Sequence, residues 1–235
     1  DPYEFLQMGL ESEGYPVKRI SLDEKSGIPE GTKTLAVVGP SRLSGRQKYE
    51  INRFLGQGGA LFLAVQNYEF NYKPEALGSI TLVPSEKDPG VNDLLSAWGF
   101  QVETSVLADE QSETISLSSG DRGGISGMSL VPIKLPVQIL LTDSAMNART
   151  SITARLSALF YLWGSALKMD HSKIKDQKLK VETLLHSSKN SWTVPFKPVN
   201  LTPQELMRNV KSVSGPFPLA VLAEGQFTDA FQKRP

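Results

Sequence analysis

An α/β fold with a parallel sheet and a β-rich insertion is the class this sequence predicts, on three observations. Two wholly apolar runs, Thr34–Val38 (TLAVV) and Ala60–Val65 (ALFLAV), read as strands covered on both faces. Between them lies an amphipathic helix, so the three elements form a βαβ unit with a right-handed crossover. Residues 111–150 then break the rhythm. They are rich in Ser, Gly and Thr, with Gly120, Gly123, Gly124 and Gly127 around the short apolar runs Leu130–Ile133 and Val137–Leu141.

The elements follow in order. Tyr3, Leu6 and Leu10 have helical spacing over Tyr3–Glu13, and Gly14 is the stop. Val17–Leu22 alternates as a strand does, and Ile28–Gly31 is a turn. Ser44 and Gln47 form a capping box for the helix bearing Tyr49, Ile51, Phe54 and Leu55, which Gly58-Gly59 ends. Asp88-Pro89 opens a helix with the apolar stripe Val91, Leu94, Leu95 and Trp98. Phe100–Leu107 reads as one strand. Leu156–Leu167 fits a buried strand or a short helix. Lys180–Leu185 and Pro218–Ala223 read as strands, and Thr202–Val210 as a helix with Pro203 at its first position and Glu205 in its first turn. The organisation is an α/β core over 1–110 and 151–235 with 111–150 inserted, or one domain throughout.

Composition narrows the chemistry. The 235 residues carry 25 basic and 25 acidic side chains, no cysteine and two histidines, His171 and His186. Disulfides, thiolate nucleophiles and cysteine-based metal sites are excluded. The longest apolar stretch, Leu156–Leu167, is short of the roughly 18–20 residues that span a bilayer. The chain begins at Asp1, so it is expected to be a processed product or part of something longer, with any membrane tether outside this sequence. Residues 1–115 hold 10 basic and 17 acidic groups, net −7, and the remainder is net +7. Lys168, Lys173, Lys175, Lys178 and Lys180 contribute to the second sum. They read as a solvated loop, or as a surface facing anionic headgroups or an acidic partner. No stretch interleaves basic and aromatic residues as a nucleic-acid platform does.

The best-placed candidate site is Gly39-Pro40-Ser41-Arg42, which leaves a parallel strand at its carboxyl end, where open α/β sheets bind ligands. Asn67 and Tyr68, after the next strand, would form the neighbouring wall. Gly56-Gln57-Gly58-Gly59 ends a helix instead of opening one, so it is no phosphate loop, and the Walker pattern is absent. Gly39-Pro40-Ser41 supplies half a nucleophile elbow, with Leu43 where the second glycine should stand. A Ser–His–Asp triad is arithmetically available, yet neither histidine has a signature beside it. Asp109-Glu110 at a strand end is a weak cation signal or a pair of acid–base carboxylates. No metal or cofactor is expected.

Several stretches, in this order, resemble the extracytoplasmic domain of auxiliary components of ABC-type transport systems, including the gliding-motility type. They are Glu4-Phe5-Leu6 with Gly14-Tyr15-Pro16-Val17, Leu35–Pro40 followed by the helix ending in Gly58-Gly59-Ala60-Leu61, and Asn92-Asp93-Leu94-Leu95 with Trp98-Gly99-Phe100. Leu107-Ala108-Asp109, Thr183–Trp192 (TLLHSSKNSW) and Gly215–Phe227 (GPFPLAVLAEGQF) complete the set. The resemblance implies a Rossmann-like parallel sheet similar to class I glutamine amidotransferases, without their catalytic cysteine. It also implies tethering beside an ABC permease and its ATPase on the extracytoplasmic, periplasmic face. One departure is plain: such domains open with a strand and a Gly-His-Gly-Glu-like turn, and nothing here matches it.

The functional expectation is a non-catalytic binding domain that engages a partner subunit, an envelope polysaccharide or an export substrate. Its contact candidates are Gly39, Pro40, Ser41, Arg42, Asn67, Tyr68, Asp109, Lys173, Lys175 and Lys178. The alternatives are a carboxylate-dependent hydrolase or transferase on a carbohydrate, using Asp109 and Glu110, and a stand-alone sugar- or nucleotide-binding module at Gly39–Arg42.

Overall fold

The βαβ unit is present, and it is the one place among the described residues where strands run parallel. The structure is a computed structural model that describes residues 3–23, 26–75, 79–119, 129–208 and 213–232. Strand β1 (Thr34–Val38) pairs in register with β2 (Ala60–Ala64). Helix α2 (Gly45–Gly56) joins them, after α1 (Glu4–Ser12). The Ser44–Gln47 capping box forms as the sequence predicts, with both reciprocal bonds made. At the other end of α2 a side chain at Gly59 would sit 2.4 Å from the Phe54 ring, so only glycine lets Phe54 fold under the turn. Glu50 is buried on α2 and held at 2.7 Å by both Arg46 and Arg53.

The Rossmann-like, amidotransferase-like parallel sheet is overturned. Strand accounts for 38% and helix for 20%, in many small antiparallel sheets. The chain pairs its strands antiparallel, some as hairpins and some between distant segments, where a parallel sheet would need crossovers. Strands β3 (Tyr68–Pro74) and β4 (Ile80–Glu86) form such a hairpin directly after β2. The single strand expected over Phe100–Leu107 is two: β5 (Phe100–Val102) and β6 (Ser105–Asp109) enter different sheets. The expected strand Val17–Leu22 has no strand partner and is irregular. Helix α3 (Asn92–Trp98) starts later than Asp88-Pro89 suggests. Asp88 instead accepts a bond from the Gly90 amide, a local turn that uses up its capping oxygen.

The remaining strands complete the molecule. β7 (Ser112–Ser119), β8 (Ser129–Thr142) and β9 (Ala158–Leu162) form an antiparallel sheet with β8 in the centre, so the two apolar runs of 111–150 belong to one long strand. Gly120, Gly123, Gly124 and Gly127 lie outside the described residues. Leu156–Leu167 contains β9, a turn, and the start of β10 (Leu167–Met169), which pairs with β5. In that turn a side chain at Gly164 would lie 1.9 Å from the Tyr161 ring. The lysine-rich segment is not a loop: α4 (His171–Asp176) buries Ile174. β11 (Lys180–His186) pairs with β13 (Pro218–Glu224), and β12 (Ser191–Pro195) pairs with β6. α5 (Pro203–Arg208) is capped by Thr202 and Glu205 in a reciprocal box.

Three apolar cores result. One lies under α2, α3 and β1–β2, around Ile51, Phe54, Leu94 and Trp98. A second gathers Tyr68, Leu82, Val106, Leu135 and Trp192. A third holds Leu107, Ile139, Leu141 and Leu185. Strand β6 serves two of them, because alternate residues face opposite sides.

The segment 227–231 closes the first core from the far end of the sequence. The Asn52 amide donates to Asp229 at 2.7 Å and accepts from the Ala230 amide at 3.0 Å. The Trp98 indole donates to the Thr228 carbonyl, and Phe227 packs edge-on against its ring. Asn52 is 7% exposed, so its loss leaves the facing polar groups unpaired. Asn52→Ala is expected to lower unfolding free energy by about 1–3 kcal/mol. Urea unfolding measures that loss, and limited proteolysis should then cut first near residue 228.

Candidate functional site

The loop Gly39–Leu43 leaves β1 at its carboxyl end and meets the turn before α3. The Leu43 amide donates to the Pro89 carbonyl at 3.0 Å, and Arg42 faces Asp88 at 3.7 Å with both side chains largely exposed. Lys48 on α2 reaches Asp93 on α3 at 2.6 Å. These residues enclose a cleft of about 260 Å3, lined also by Asn67 and Gly90–Asn92. The structure therefore brings Arg42 and Asn67 onto one cleft. Gly39 continues the β1–β2 ladder through its amide, and the Tyr3 hydroxyl sits over it. Pro40 is half-buried and Ser41 exposed. Tyr68 is elsewhere: it is buried, stacked on Phe196, and its hydroxyl donates to the Thr104 carbonyl. Burial pushes that phenol's pKa up. Asn67 also donates to the Glu103 carbonyl at 2.9 Å, so both residues tie the β3–β4 hairpin to the β5–β6 turn.

Asp109 is fully buried at the end of β6. It accepts bonds from the Ser188 amide at 2.7 Å, the Ser188 hydroxyl at 2.5 Å and the Gln111 amide at 2.9 Å. Glu110 accepts from the Asn190 amide side chain. Ser187 and Ser191 share a hydroxyl bond of 2.7 Å, and Ser187 accepts from the Phe217 amide. The TLLHSSKNSW stretch is thus a polar staple joining β6, the β11–β12 turn and the segment before β13. His186 contacts the Ser187 carbonyl through Nδ1, so the serine paired with Asp109 has no histidine bonded to it. Among the described residues no group of His, Asp and Glu has a metal-holding arrangement.

The lysines divide. Lys173 donates to the Ser96 carbonyl at 2.8 Å, close to the carboxyl end of α3, where a cation is favoured. Lys175 and Lys178 are exposed, with Lys178 in a left-handed conformation after the helix. Asp170 caps α4. The Ser172 hydroxyl, above all, and the Lys173 amide hold its carboxyl below the ordinary range. Lys180 is pushed up by Glu182 chiefly, and by Glu224.

A larger cavity, about 700 Å3, lies between α2, Asp176-Gln177 and the segment 226–232. No local motif announces it, because its walls come from three distant stretches. The one signal is Asn52, a polar residue beside Ile51 on the buried face of α2.

The family described as an ABC-type uncharacterized transport system matches residues 1–235. The chain belongs to that family. It is an auxiliary component of an ABC-type transport system. No curated protein and no solved structure matches it. In this auxiliary component no described helix is long and apolar enough to cross a membrane.

Two measurements check this geometry. Asp109→Ala strands three donors in a buried site and should cost about 3 kcal/mol or more, read by chemical unfolding. A depressed carboxyl contributes stability above the unfolded-state pKa and loses it as pH falls through the folded-state value. Asp170 should therefore titrate below the usual aspartate pKa of about 3.9 by NMR, and Ser172→Ala should move it upward.

Proposed function

We propose that this auxiliary component is a non-catalytic binding domain on the extracytoplasmic face, holding a permease or ATPase-associated subunit through the loops at the carboxyl end of β1. The family match along the whole chain carries this reading. The cleft lined by Arg42, Asn67, Asp88 and Asp93 supports the contact surface. Its rim offers one exposed cation, Arg42, and two exposed carboxylates, Asp88 and Asp93, the polar rim that protein contacts use. Lys175 on α4 and Lys178 just after it give a second, basic surface. Asp109 supports binding over catalysis, since all its bonds are directed inward. An envelope polysaccharide is the alternative occupant of the cleft, through Arg42, Asn67 and Asp93.

The absence of cysteine makes the test clean. Ser41→Cys, introduced into the full-length protein with any cysteine outside residues 1–235 changed to serine, gives a single labelling point. A membrane-impermeant maleimide should label it in intact cells with a permeabilised outer envelope. A cleavable crosslinker at the same cysteine should capture a permease or its associated ATPase. Arg42→Glu should reduce that capture about tenfold, because reversing a rim charge sets like charges against the partner and slows association. Labelling only after inner-membrane lysis, or purification with no transporter subunit, sinks the reading.

A further inference from the structure

The β8–β9 connection and β9 itself carry a surface that the partner-binding reading does not use. Ile152, Leu156, Phe160 and Leu162 each leave 42–54% of their area exposed. Ile152 and Leu156 stand on the connection, and Phe160 and Leu162 lie on one face of β9. Exposed side chains of this size, grouped so closely in the chain, mark a contact surface. The connection is ordered. The Thr153 hydroxyl, buried, donates to the Asn147 carbonyl at 2.6 Å, and the Ala154 amide donates to the Thr150 carbonyl. Asn147 ties the whole turn to β11 through the Leu184 and Thr183 carbonyls.

Charge names the occupant. From Ser144 to Met169 there is no acidic residue, while Arg149, Arg155 and Lys168 are basic. Arg149 and Arg155 are exposed and meet no carboxylate among the described residues, whereas Arg42, Arg46 and Arg53 each do. Two guanidinium groups with no carboxylate partner among the described residues, within 13 positions of exposed Ile, Leu and Phe side chains, suit an interface with anionic headgroups above and acyl chains below. A strand added to the free edge of β9 would cover β9 alone and leave Ile152, Leu156 and both arginines bare.

We propose that the β8–β9 connection and the outer face of β9 dock on an anionic lipid surface. The proposal rests on this patch alone and stands or falls apart from the choice of partner subunit.

The test is co-sedimentation of the chain with vesicles of phosphatidylcholine, alone or mixed with phosphatidylglycerol. Binding is expected to the mixed vesicles only, and to weaken as salt rises. Arg149→Ala with Arg155→Ala should weaken it about 30-fold, near fivefold for each cation lost at such a surface. Phe160→Ser should weaken it about tenfold or more. Ile152→Ser, on the exposed connection, gives the same readout should Phe160→Ser lose its thermal unfolding transition. No binding to the mixed vesicles overturns the proposal. So does binding that the arginine pair leaves unchanged and that Lys175→Ala with Lys178→Ala abolishes. Self-association in sedimentation velocity that Phe160→Ser dissolves, without vesicle binding, assigns the patch to a second copy and equally overturns it.

Discussion

A buried carboxylate holds the architecture at its centre. Asp109 ends β6, and β6 is the strand whose Val106 and Ala108 serve one core while Leu107 serves another. Fixing the end of this strand fixes the relative register of both cores. Burying an aspartate is costly unless its oxygens are filled. The Ser188 hydroxyl and amide and the Gln111 amide fill them. The β11–β12 turn therefore takes the shape that brings these donors in, and the serines around it have their hydroxyls occupied by one another and by backbone groups. A serine-rich stretch next to an aspartate and a histidine has the composition of a hydrolase site. Here the bonds are spent on holding strands together.

What was legible in the sequence was local. The Ser44–Gln47 box, the helix start at Thr202-Pro203, the Gly58-Gly59 stop and the two apolar strands each depend on contacts within a few residues, and each is found where its pattern puts it. The class of sheet was not legible, because it depends on where the next strand returns. TLAVV and ALFLAV read the same whether they begin a broad parallel sheet or form a lone parallel pair, as they do. Val17–Leu22 alternates correctly but finds no strand to pair with, and alternation without a partner makes no strand. Of the candidate site, Arg42 and Asn67 share a cleft because both follow the ends of paired parallel strands. Tyr68 was misplaced by the same reasoning: its strand turns back as a hairpin and carries the ring into the core. The 700 Å3 cavity had no sequence signature, since α2, α4 and the 226–232 segment are far apart in the chain.

The surface is as uneven as the sequence. Acidic and basic halves cancel to zero overall, yet the charges are spent differently. Near α2 they close into pairs: Arg46 and Arg53 on Glu50, Lys48 on Asp93. Such pairs lock helices and leave little field for a partner to feel. Around residues 144–169 no carboxylate among the described residues answers the arginines, and exposed apolar side chains share the same stretch of chain.

The clasp formed by Asn52, Trp98 and residues 227–231 has a temporal consequence. A polypeptide emerges from the ribosome amino end first. The βαβ unit is complete within the first 64 residues, but its core waits for Phe227 and Phe231, and the side chain of Asn52 waits for Asp229. During synthesis Trp98 cannot take its final contacts until Phe227 and Thr228 have been made. The core around Ile51 and Trp98 is therefore completed by residues made some 130 positions later.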